Sequence, residues 1–308
     1  MGTESDIITI LCVDLSDKHK PLTRAEFWKF YHQYGSSAKE LSVAEDDRII
    51  DLMKRTGSIA FGKDRLEQLG IKIVTFVDDG FPRRLKEKLG KFCPPLLYVS
   101  GDMKILRHKF VGYVGSRSID EADIVWTENR LRKNLADGFG VVTGGANGID
   151  SVAMHYALQH GAPVVVFLPD NIKEKLRDPF VRQHIWNGNL LVISHISPFA
   201  KKMRSSFVAA AMERNKYIYA LSNGTAVVRS DLNKGGTWTG AADALKHGWA
   251  QVFVWDNRNY PGNQKLIDLG AQALSAEGKR MDGKTRGASR CEKHAVADGH
   301  QISLFATN

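Results

Sequence analysis

The chain of 308 residues has few cysteines and no long apolar run, and each absence excludes a class of protein. Its three cysteines, Cys12, Cys93 and Cys291, are far apart and form no Cys-x-x-Cys or Cys/His spacing. That distribution argues against a disulfide framework and against a zinc site. Apolar runs such as 163–169 are far shorter than the roughly 20 residues that span a bilayer. The N-terminus also lacks a basic region followed by an apolar one, so we expect a cytoplasmic protein without a membrane segment or a bound metal.

Positive charge is in excess, with 43 Lys and Arg against 34 Asp and Glu and a formal net charge of +9. Clustered basic side chains gain affinity for nucleic acid because they release counterions from the phosphate backbone. A solvated basic surface without any partner gives the same net charge. The charge alone therefore leaves both interpretations open.

Changes in pattern divide the chain into three parts. Residues 1–70 have short helical patterns, including the capping-box sequence from Thr23 to Glu26, and are predicted to form a small helical module. Residues 71–271 alternate apolar strand-like runs with helical segments. This alternation predicts an α/β, Rossmann-like domain with a doubly wound, mostly parallel sheet. Residues 272–308, rich in Gly, Lys, Arg and small polar residues, are predicted to be a flexible basic tail.

Three glycine-containing segments, 112–117, 143–150 and 235–240, each follow a predicted strand and precede a predicted helix. Glycine lets the backbone approach an anion closely, and the first N–H groups of the next helix point toward that anion. The carboxyl ends of parallel strands meet at one edge of a sheet, so the three segments are expected to line one crevice that binds phosphate. The candidate residues are Gly115, Ser116, Arg117, Gly144, Gly145, Asn147, Gly148, Gly235, Gly236, Thr237 and Trp238. Trp238 is the one tryptophan for which we predict stacking on a base.

Other side chains near these segments are predicted to have structural roles. Asp150 is interpreted as the cap of the helix after the second segment, and His155 on that helix as a packing residue rather than a general base. Trp186, Trp249 and Trp255 are predicted to pack in the core or on the sheet. No segment matches Gly-x-Gly-x-x-Gly with a placed acidic residue, and no Walker lysine follows a glycine run. Neither dinucleotide redox chemistry nor ATP hydrolysis is indicated, and no cofactor is expected.

Several short motifs between residues 70 and 271 occur in the order seen in the DNA-processing protein A (DprA/Smf) family. These motifs are Gly80-Phe-Pro-Arg-Arg-Leu85, Pro94-Pro-Leu-Leu-Tyr-Val99, Gly115-Ser-Arg117, Gly144-Gly-Ala-Asn-Gly-Ile-Asp150, Arg214-Asn-Lys216 and Gly262-Asn-Gln-Lys-Leu-Ile267. The resemblance implies a Rossmann-like domain that binds single-stranded DNA, forms a homodimer and, in the best-known members, helps to load a RecA-type recombinase. It also implies that Arg214, Asn215 and Lys216 line the DNA-binding crevice. Arg117, Arg214 and Lys216 would supply positive charge there, while Asn215 would fix a neighbouring loop or reach a base edge.

Two departures from the family pattern indicate a divergent branch. Phe207 is followed by Val-Ala-Ala-Ala-Met-Glu, where the family has a Phe-Pro-Arg-Arg-Asn-Arg run. The third glycine segment is Lys234-Gly-Gly-Thr-Trp-Thr-Gly240, where the family commonly has a Ser-Gly-Ser-type turn. The third glycine segment also resembles the Gly-Gly-x-Gly-Thr-x-x-Glu element of the related Lonely Guy phosphoribohydrolases, but Ala242 occupies the position of the catalytic glutamate. Asp243 is adjacent, yet one helical step turns a side chain by about 100°. We therefore expect a protein that is not an enzyme. The alternative is a nucleotide sensor or nucleoside-monophosphate hydrolase of the same superfamily, and transformation, recombination and anti-phage defence all stay open as its pathway.

The C-terminal sequence Gln301-Ile302-Ser303-Leu304-Phe305 resembles the pentapeptide by which bacterial replication and repair proteins bind the sliding clamp. A glutamine amide offers hydrogen bonds, and Leu304 and Phe305 can fill an apolar pocket at the end of a flexible tether. The other interpretation is that these two apolar side chains fold back onto the domain. The pattern favours the clamp as a partner, because an apolar pair that ends a polar tail has no evident core to join.

Overall fold

The computed structural model describes residues 2–16, 18–35, 37–200 and 204–275. Five helices come first in the chain: α1 (Glu4–Cys12), α2 (Arg24–Gln33), α3 (Ala38–Ser42), α4 (Asp47–Met53) and α5 (Thr56–Gln68). An α/β region follows: β1 (Lys72–Thr75), α6 (Arg83–Leu89), β2 (Leu96–Ser100), β3 (Phe110–Val114), α7 (Glu121–Ala136), β4 (Gly140–Thr143), α8 (Ile149–Gln159), β5 (Val164–Leu168), α9 (Ile172–Lys175), α10 (Pro179–Trp186) and β6 (Leu190–Ser194). The last elements are α11 (Arg204–Leu221), β7 (Gly224–Val227), α12 (Gly235–His247), β8 (Gln251–Trp255), α13 (Pro261–Asp268) and β9 (Gln272–Leu274).

The region predicted to be a helical module contains the first five helices, and side-chain caps begin α1 to α4. The Thr23 hydroxyl accepts from the Glu26 N–H while the Glu26 carboxylate accepts from the Thr23 N–H, which satisfies two backbone donors at the start of α2. Phe27, predicted as core, is fully buried together with side chains of α1, α3 and α4. The opposite side of α1 and the inner face of α5 pack on the sheet. The helices therefore cover the end of the sheet that β1 and β2 form.

The nine strands form one sheet in the order β1-β2-β6-β5-β4-β3-β7-β8-β9. From β6 to β9 every pairing is parallel, whereas β2 runs antiparallel to both β1 and β6. Every residue of β3, β5 and β6 is buried, because helices cover both faces of the sheet. The prediction of a doubly wound, mostly parallel sheet is confirmed.

Helices divide between the two faces of the sheet at β3. Side chains of α7, α8 and α10 pack on one face, and side chains of α6, α11, α12 and α13 pack on the other. Strand β3 lies between β4 and β7 in the sheet. The helix after β3, α7, packs on one face, whereas the helix after β7, α12, packs on the opposite face. Such a divergence opens a crevice at the carboxyl ends of adjacent strands. In the described residues no helix is long and apolar enough to cross a membrane.

Two predictions about the periphery of the domain are wrong. Residues 272–274, assigned to the tail, form β9 and pair in parallel with β8, and Leu274 is buried in the core. Trp186 is 90% exposed, because it lies five positions after the buried Val181 and therefore about 140° around α10 from the packed side. Trp249 is buried and Trp255 stacks on Trp126 at 5.2 Å, as predicted. The clamp-like residues 301–305 lie outside the described residues.

One buried amide positions the loop that follows β7. The Asn263 Nδ2 donates to the Val228 carbonyl at 2.8 Å and to the Trp255 carbonyl at 3.0 Å. Its Oδ1 accepts from the N–H and the hydroxyl of Ser230, both at 2.9 Å. The neighbouring Gly262 lies against the same backbone, where an added Cβ would come within 2.3 Å of the Ser230 carbonyl. This explains why Gly and Asn stand together at the start of α13.

We predict that Asn263→Ala lowers the free energy of unfolding by about 3 kcal/mol, because two carbonyls and two donors lose their buried partner. Urea denaturation of the full chain measures this value. Asn259→Ala is the matched control, since Asn259 is exposed on the loop before α13, and we expect a change below about 0.5 kcal/mol. Equal stabilities of the two variants would contradict the role assigned to Asn263.

Candidate functional site

The crevice at the carboxyl ends of β3, β4 and β7 has two connected lobes. The first, of about 470 Å³, is lined by residues 114–118 after β3, by 229–231 and 234–237 after β7, and by one side of α11. The second, of about 400 Å³, is lined by residues 144–147 after β4 and by the segment after β5. Arg117, Ala146, Phe207 and Arg214 line both lobes. The three glycine segments thus meet at one crevice.

The first two glycine turns contact each other directly. Gly148 has φ +80°, and a Cβ there would lie 2.2 Å from the Ser116 carbonyl oxygen. The N–H of Ile149 donates to that carbonyl at 3.3 Å. A Cβ on Gly115 would lie 2.4 Å from Ile149 Cγ1. Glycine is therefore required at both positions for the turns to approach this closely.

Asp150 holds the second turn, and its predicted role as a helix cap is wrong. Gly148 is the N-cap of α8, which places Asp150 inside the first helical turn. Its buried carboxylate accepts from the Gly144 N–H at 3.0 Å and lies 3.8 Å from the Arg214 guanidinium. Burial raises the pKa of Asp150, and the neighbouring Arg214 charge opposes that rise. The side chain therefore shapes the glycine turn from within.

Arg214 lines both lobes, as predicted, but its guanidinium is buried and belongs to the same contact rather than to the open surface of the crevice. It is 4% exposed, and its Nη1 donates to the Phe167 carbonyl at 3.1 Å. An added Cβ on Gly144 would come within 1.2 Å of Nη1, so only glycine leaves room for this guanidinium. Burial lowers the pKa of Arg214, while Asp150 raises it again. Arg214 ties α11 to β5 and to the second turn beneath the crevice.

The next two residues of α11 point in different directions, because successive helical side chains are about 100° apart. Asn215 faces the crevice, and its Nδ2 donates to the Gly236 carbonyl at 3.0 Å. It was predicted to fix a neighbouring loop or to reach a base edge, and it holds the start of α12 instead. Lys216 lies outside the crevice lining. Its ammonium is 2.6 Å from the Glu213 carboxylate and 4.9 Å from the centre of the Phe92 ring. The prediction that Lys216 lines the crevice is wrong.

The third glycine segment is the first turn of α12 rather than a loop. The Thr237 hydroxyl donates to the Gly115 carbonyl at 3.0 Å, which joins this helix to the first turn. Trp238 is only 9% exposed and packs in the core on the face of the sheet that α11 and α12 cover. The prediction that it stacks on a base is therefore wrong. No side chain caps the start of α12 at Lys234, and its first N–H groups are directed to the crevice end of the helix.

Two cations at the crevice were not predicted from the sequence. Lys234 is exposed at the start of α12 and lines the first lobe, as Arg117 does. The feature of the sequence that could have identified Lys234 as a crevice residue is its position directly before Gly235-Gly236. Arg229 also lines this lobe, but its guanidinium binds Asp123 at 3.1 Å and Asp120 at 3.3 Å. The hydrogen bond to Asp123 raises the pKa of Arg229.

Other candidate chemistry lies away from the crevice. The His155 Nδ1 is 2.8 Å from the Ser151 carbonyl and its ring stacks on Phe180 at 4.8 Å, in keeping with the packing role predicted for it. Over the described ranges, no group of three His, Cys, Asp or Glu side chains is arranged to hold a metal ion. The crevice thus offers backbone N–H groups, two exposed cations and one apolar wall on α11, while the second lobe is also lined by the carboxylates of Asp170, Glu174 and Asp178.

The chain matches one protein family and is similar in structure to two proteins of known structure. The family model described as DNA recombination-mediator protein A matches residues 72–282. DNA processing protein A from Streptococcus pneumoniae has a similar structure, with a TM-score of 0.68 and 21% identity over 90% of this chain and 96% of that one. DNA processing protein A from Helicobacter pylori, a protein that binds single-stranded DNA, gives 0.52 and 24% identity over 66% of this chain and 90% of that one. No curated protein sequence matches this chain.

The contact between the first two turns gives a stability prediction. We expect Gly148→Ala to lower the free energy of unfolding by about 3 kcal/mol, because the methyl group collides with the Ser116 carbonyl at a positive φ. Gly161→Ala is the control, since Gly161 also has a positive φ but would meet no atom within 4 Å. It should cost about 1 kcal/mol in the same urea titration. Equal losses for the two variants would show that the turns do not need to touch.

Proposed function

The chain belongs to the DNA recombination-mediator protein A family and has a role in DNA processing, and we propose that it binds single-stranded DNA in the two-lobed crevice without cutting it. The observation that carries the proposal is the meeting of three backbone N–H sources around Arg117: the turns after β3 and β4 and the start of α12. Backbone N–H groups and helix N-termini bind phosphate without reading sequence. The Helicobacter pylori relative, which binds single-stranded DNA, supports the choice of ligand.

A polynucleotide fits the crevice better than a single nucleotide does. The two lobes are adjacent and share Arg117 in their linings, where its guanidinium can bind a phosphate between two successive nucleotides. For phosphoribohydrolase chemistry an acid is needed at the position that Ala242 occupies. Asp243 lies outside the lining of both lobes. These features favour binding over hydrolysis, and so the proposed activity is not enzymatic.

The resemblance to the family extends the proposal to partners and location. We propose a cytoplasmic homodimer that holds single-stranded DNA during recombination and assists a RecA-type recombinase. Residues 301–305 are proposed to bind the sliding clamp and so to bring the domain to sites of DNA synthesis. Both partners rest on sequence resemblance, and each requires its own binding assay.

We predict that Arg117→Ala and Lys234→Ala each lower the affinity for a labelled oligo-dT strand about tenfold, because each removes a charged contact with phosphate. Fluorescence anisotropy across salt concentrations measures the affinity. The slope of log K against log salt is negative, and it should become less negative by about 0.7 for each lost contact with a single strand. Arg132→Ala is the charge-matched control, since Arg132 is exposed toward the end of α7 that lies away from the crevice.

The sequence predicts that Lys216 lines the crevice, but in the structure its ammonium pairs with Glu213 outside it. The variant Lys216→Ala should therefore bind DNA like the parent chain. If Arg117→Ala and Arg132→Ala bind oligo-dT equally, the crevice is not the DNA site. Weak binding of oligo-dT without salt dependence, together with tight binding of a free nucleoside monophosphate, would favour the sensor alternative instead.

The clamp motif gives a separate prediction. A chain that ends at His300 should no longer associate with the sliding clamp, because it lacks the glutamine amide and the apolar pair. Its affinity for oligo-dT should change less than about twofold, since the crevice is intact. Surface plasmon resonance with immobilised clamp measures the first effect and anisotropy the second. Undiminished clamp binding by the truncated chain would show that residues 301–305 are not the contact.

A further inference from the structure

The excess positive charge of the chain lies outside the crevice. The linings of the two lobes contain five Lys and Arg side chains and five Asp and Glu side chains, so the crevice is balanced in charge. The full chain nevertheless has a formal net charge of +9. Most of this excess comes from residues 83–109, which contain eight Lys and Arg and only two Asp and Glu. The strongest basic surface therefore belongs to α6 and to the segment that leads into β3.

These two basic segments lie side by side in the fold. Arg84, in the first turn of α6, donates from Nη2 to the Ser222 carbonyl at 2.6 Å. The N–H of the next residue, Asn223, donates to the Phe110 carbonyl at 2.8 Å. The start of α6 and the start of β3 therefore flank one loop, which connects α11 to β7. This loop lies at the amino ends of the parallel strands, whereas the crevice lies at their carboxyl ends.

Six exposed cations of these segments form a surface that we call the α6 band. Three lie within or just after α6, and three lie on the turn 103–107 and just before β3. In chain order they are Arg83, Lys88, Lys91, Lys104, Arg107 and Lys109. Within the described ranges, Arg83 is the one member with an acidic partner, Glu87 on the next turn at 2.6 Å. Exposed pairs of this kind contribute little, so the charges of the α6 band are available to a ligand.

Aromatic rings lie at one end of the α6 band. The Lys91 ammonium is 5.7 Å from the centre of the half-buried Phe92 ring. The exposed His247 ring, at the end of α12, is 5.7 Å from Phe92 and stacks on Trp249 at 4.9 Å. Accessible rings beside cations favour a nucleic acid strand over an acidic peptide, because the bases of a strand have π-faces that stack on such rings.

A strand that is bound in the crevice can reach the α6 band. Gly115, at the crevice, and Lys109, in the band, lie at the two ends of β3 and are about 20 Å apart at 3.3 Å per residue. Successive nucleotides of a stacked strand are about 3.4 Å apart. A strand of 30 nucleotides is therefore long enough to pass around the domain from the crevice to the band. A strand of six nucleotides is expected to occupy the crevice alone.

We propose that the α6 band is a second nucleic-acid-binding surface, on which a single strand that leaves the crevice binds through its phosphates. This inference rests on the proposed function and extends it. The crevice holds one short stretch of the strand, and the band supplies most of the salt-dependent attraction for the rest. Lys and Arg side chains that contact a phosphate backbone bind it without reading its sequence. Affinity and its salt dependence should therefore grow with the length of the strand.

The test uses two labelled oligo-dT strands, of six and of 30 nucleotides, with fluorescence anisotropy at several salt concentrations. For the full parent chain, we expect the slope of log K against log salt to be more negative for the longer strand by about 2 or more. The reason is that each additional phosphate contact contributes about 0.7 to the slope. Equal slopes for the two strands would contradict the proposal, because the longer strand would then make no further charged contacts.

A triple variant then locates the effect on the α6 band. Lys104→Ala, Arg107→Ala and Lys109→Ala together should weaken binding of the longer strand at least about tenfold near 0.1 M salt, and make its slope less negative by about 2. Binding of the six-nucleotide strand should change less than about twofold, because the crevice is intact. All three positions are exposed, so the variant should fold like the parent.

The matched control removes the same amount of positive charge from exposed positions elsewhere on the domain. It combines Lys39→Ala on α3, Lys54→Ala after α4 and Arg132→Ala on α7. Charges that do not contact the strand are screened over about 10 Å at this salt concentration. The control should therefore bind both strands within about twofold of the parent.

Each other outcome overturns a different statement. Equal binding of the longer strand by the triple variant and its control would refute the α6 band as a nucleic acid surface, while binding of the shorter strand in the crevice would stand. Equal weakening of both strands by the triple variant would refute it as well, because the substitutions would then act on the crevice or the fold. Tighter binding of polyglutamate than of the longer strand, lost only in the triple variant, would assign the band to an acidic protein segment instead. If neither strand binds the parent chain, the proposed function itself is wrong.

Discussion

The buried contact between Asp150 and Arg214 is the interaction on which the crevice depends. It joins the second glycine turn, the first turn of α8, the end of β5 and the middle of α11 in one place. Breaking such a pair by removing one partner costs about 3–5 kcal/mol, because the other charge stays buried without compensation. Gly144 leaves the space that the guanidinium fills. The second glycine turn and the α11 wall are therefore held in register by one charge pair below the surface.

The groups of the crevice that the Asp150–Arg214 contact does not use are the ones available to a ligand. With Arg214 used internally and Arg229 bound to two aspartates, the exposed positive charges in the lining of the first lobe are Arg117 and Lys234, and Asp231 is an exposed negative charge there. In the proposed function, the remaining attraction for phosphate would come from backbone N–H groups at the turns and at the start of α12. Because these donors are fixed by the fold, binding of a strand would order few long side chains besides Arg117 and Lys234, which limits the entropic cost of association.

Sequence reasoning predicted the sheet well because its strands are short apolar runs between turn residues, and covered parallel strands have that pattern. It also found the crevice, since Gly115, Gly144 and Gly148 are needed wherever backbones approach closely. It failed where the direction of a side chain decides the role. Whether Lys216 faces the crevice depends on how α11 is rotated against the sheet, and Trp238 is buried because residues 235–238 already belong to α12. The pairing of β9 with β8 is a tertiary contact that three residues of local pattern do not reveal.

Hydrogen exchange of the full chain with and without a single-stranded oligo-dT reports on the backbone amides that are proposed to contact phosphate in the crevice. We predict slower exchange in 115–118, 144–148 and 235–237 when the strand is bound, and no change along the end of α7 that carries Arg132. Saturating DNA binding that leaves these three segments unprotected, or that protects another surface instead, would contradict the assignment of this crevice.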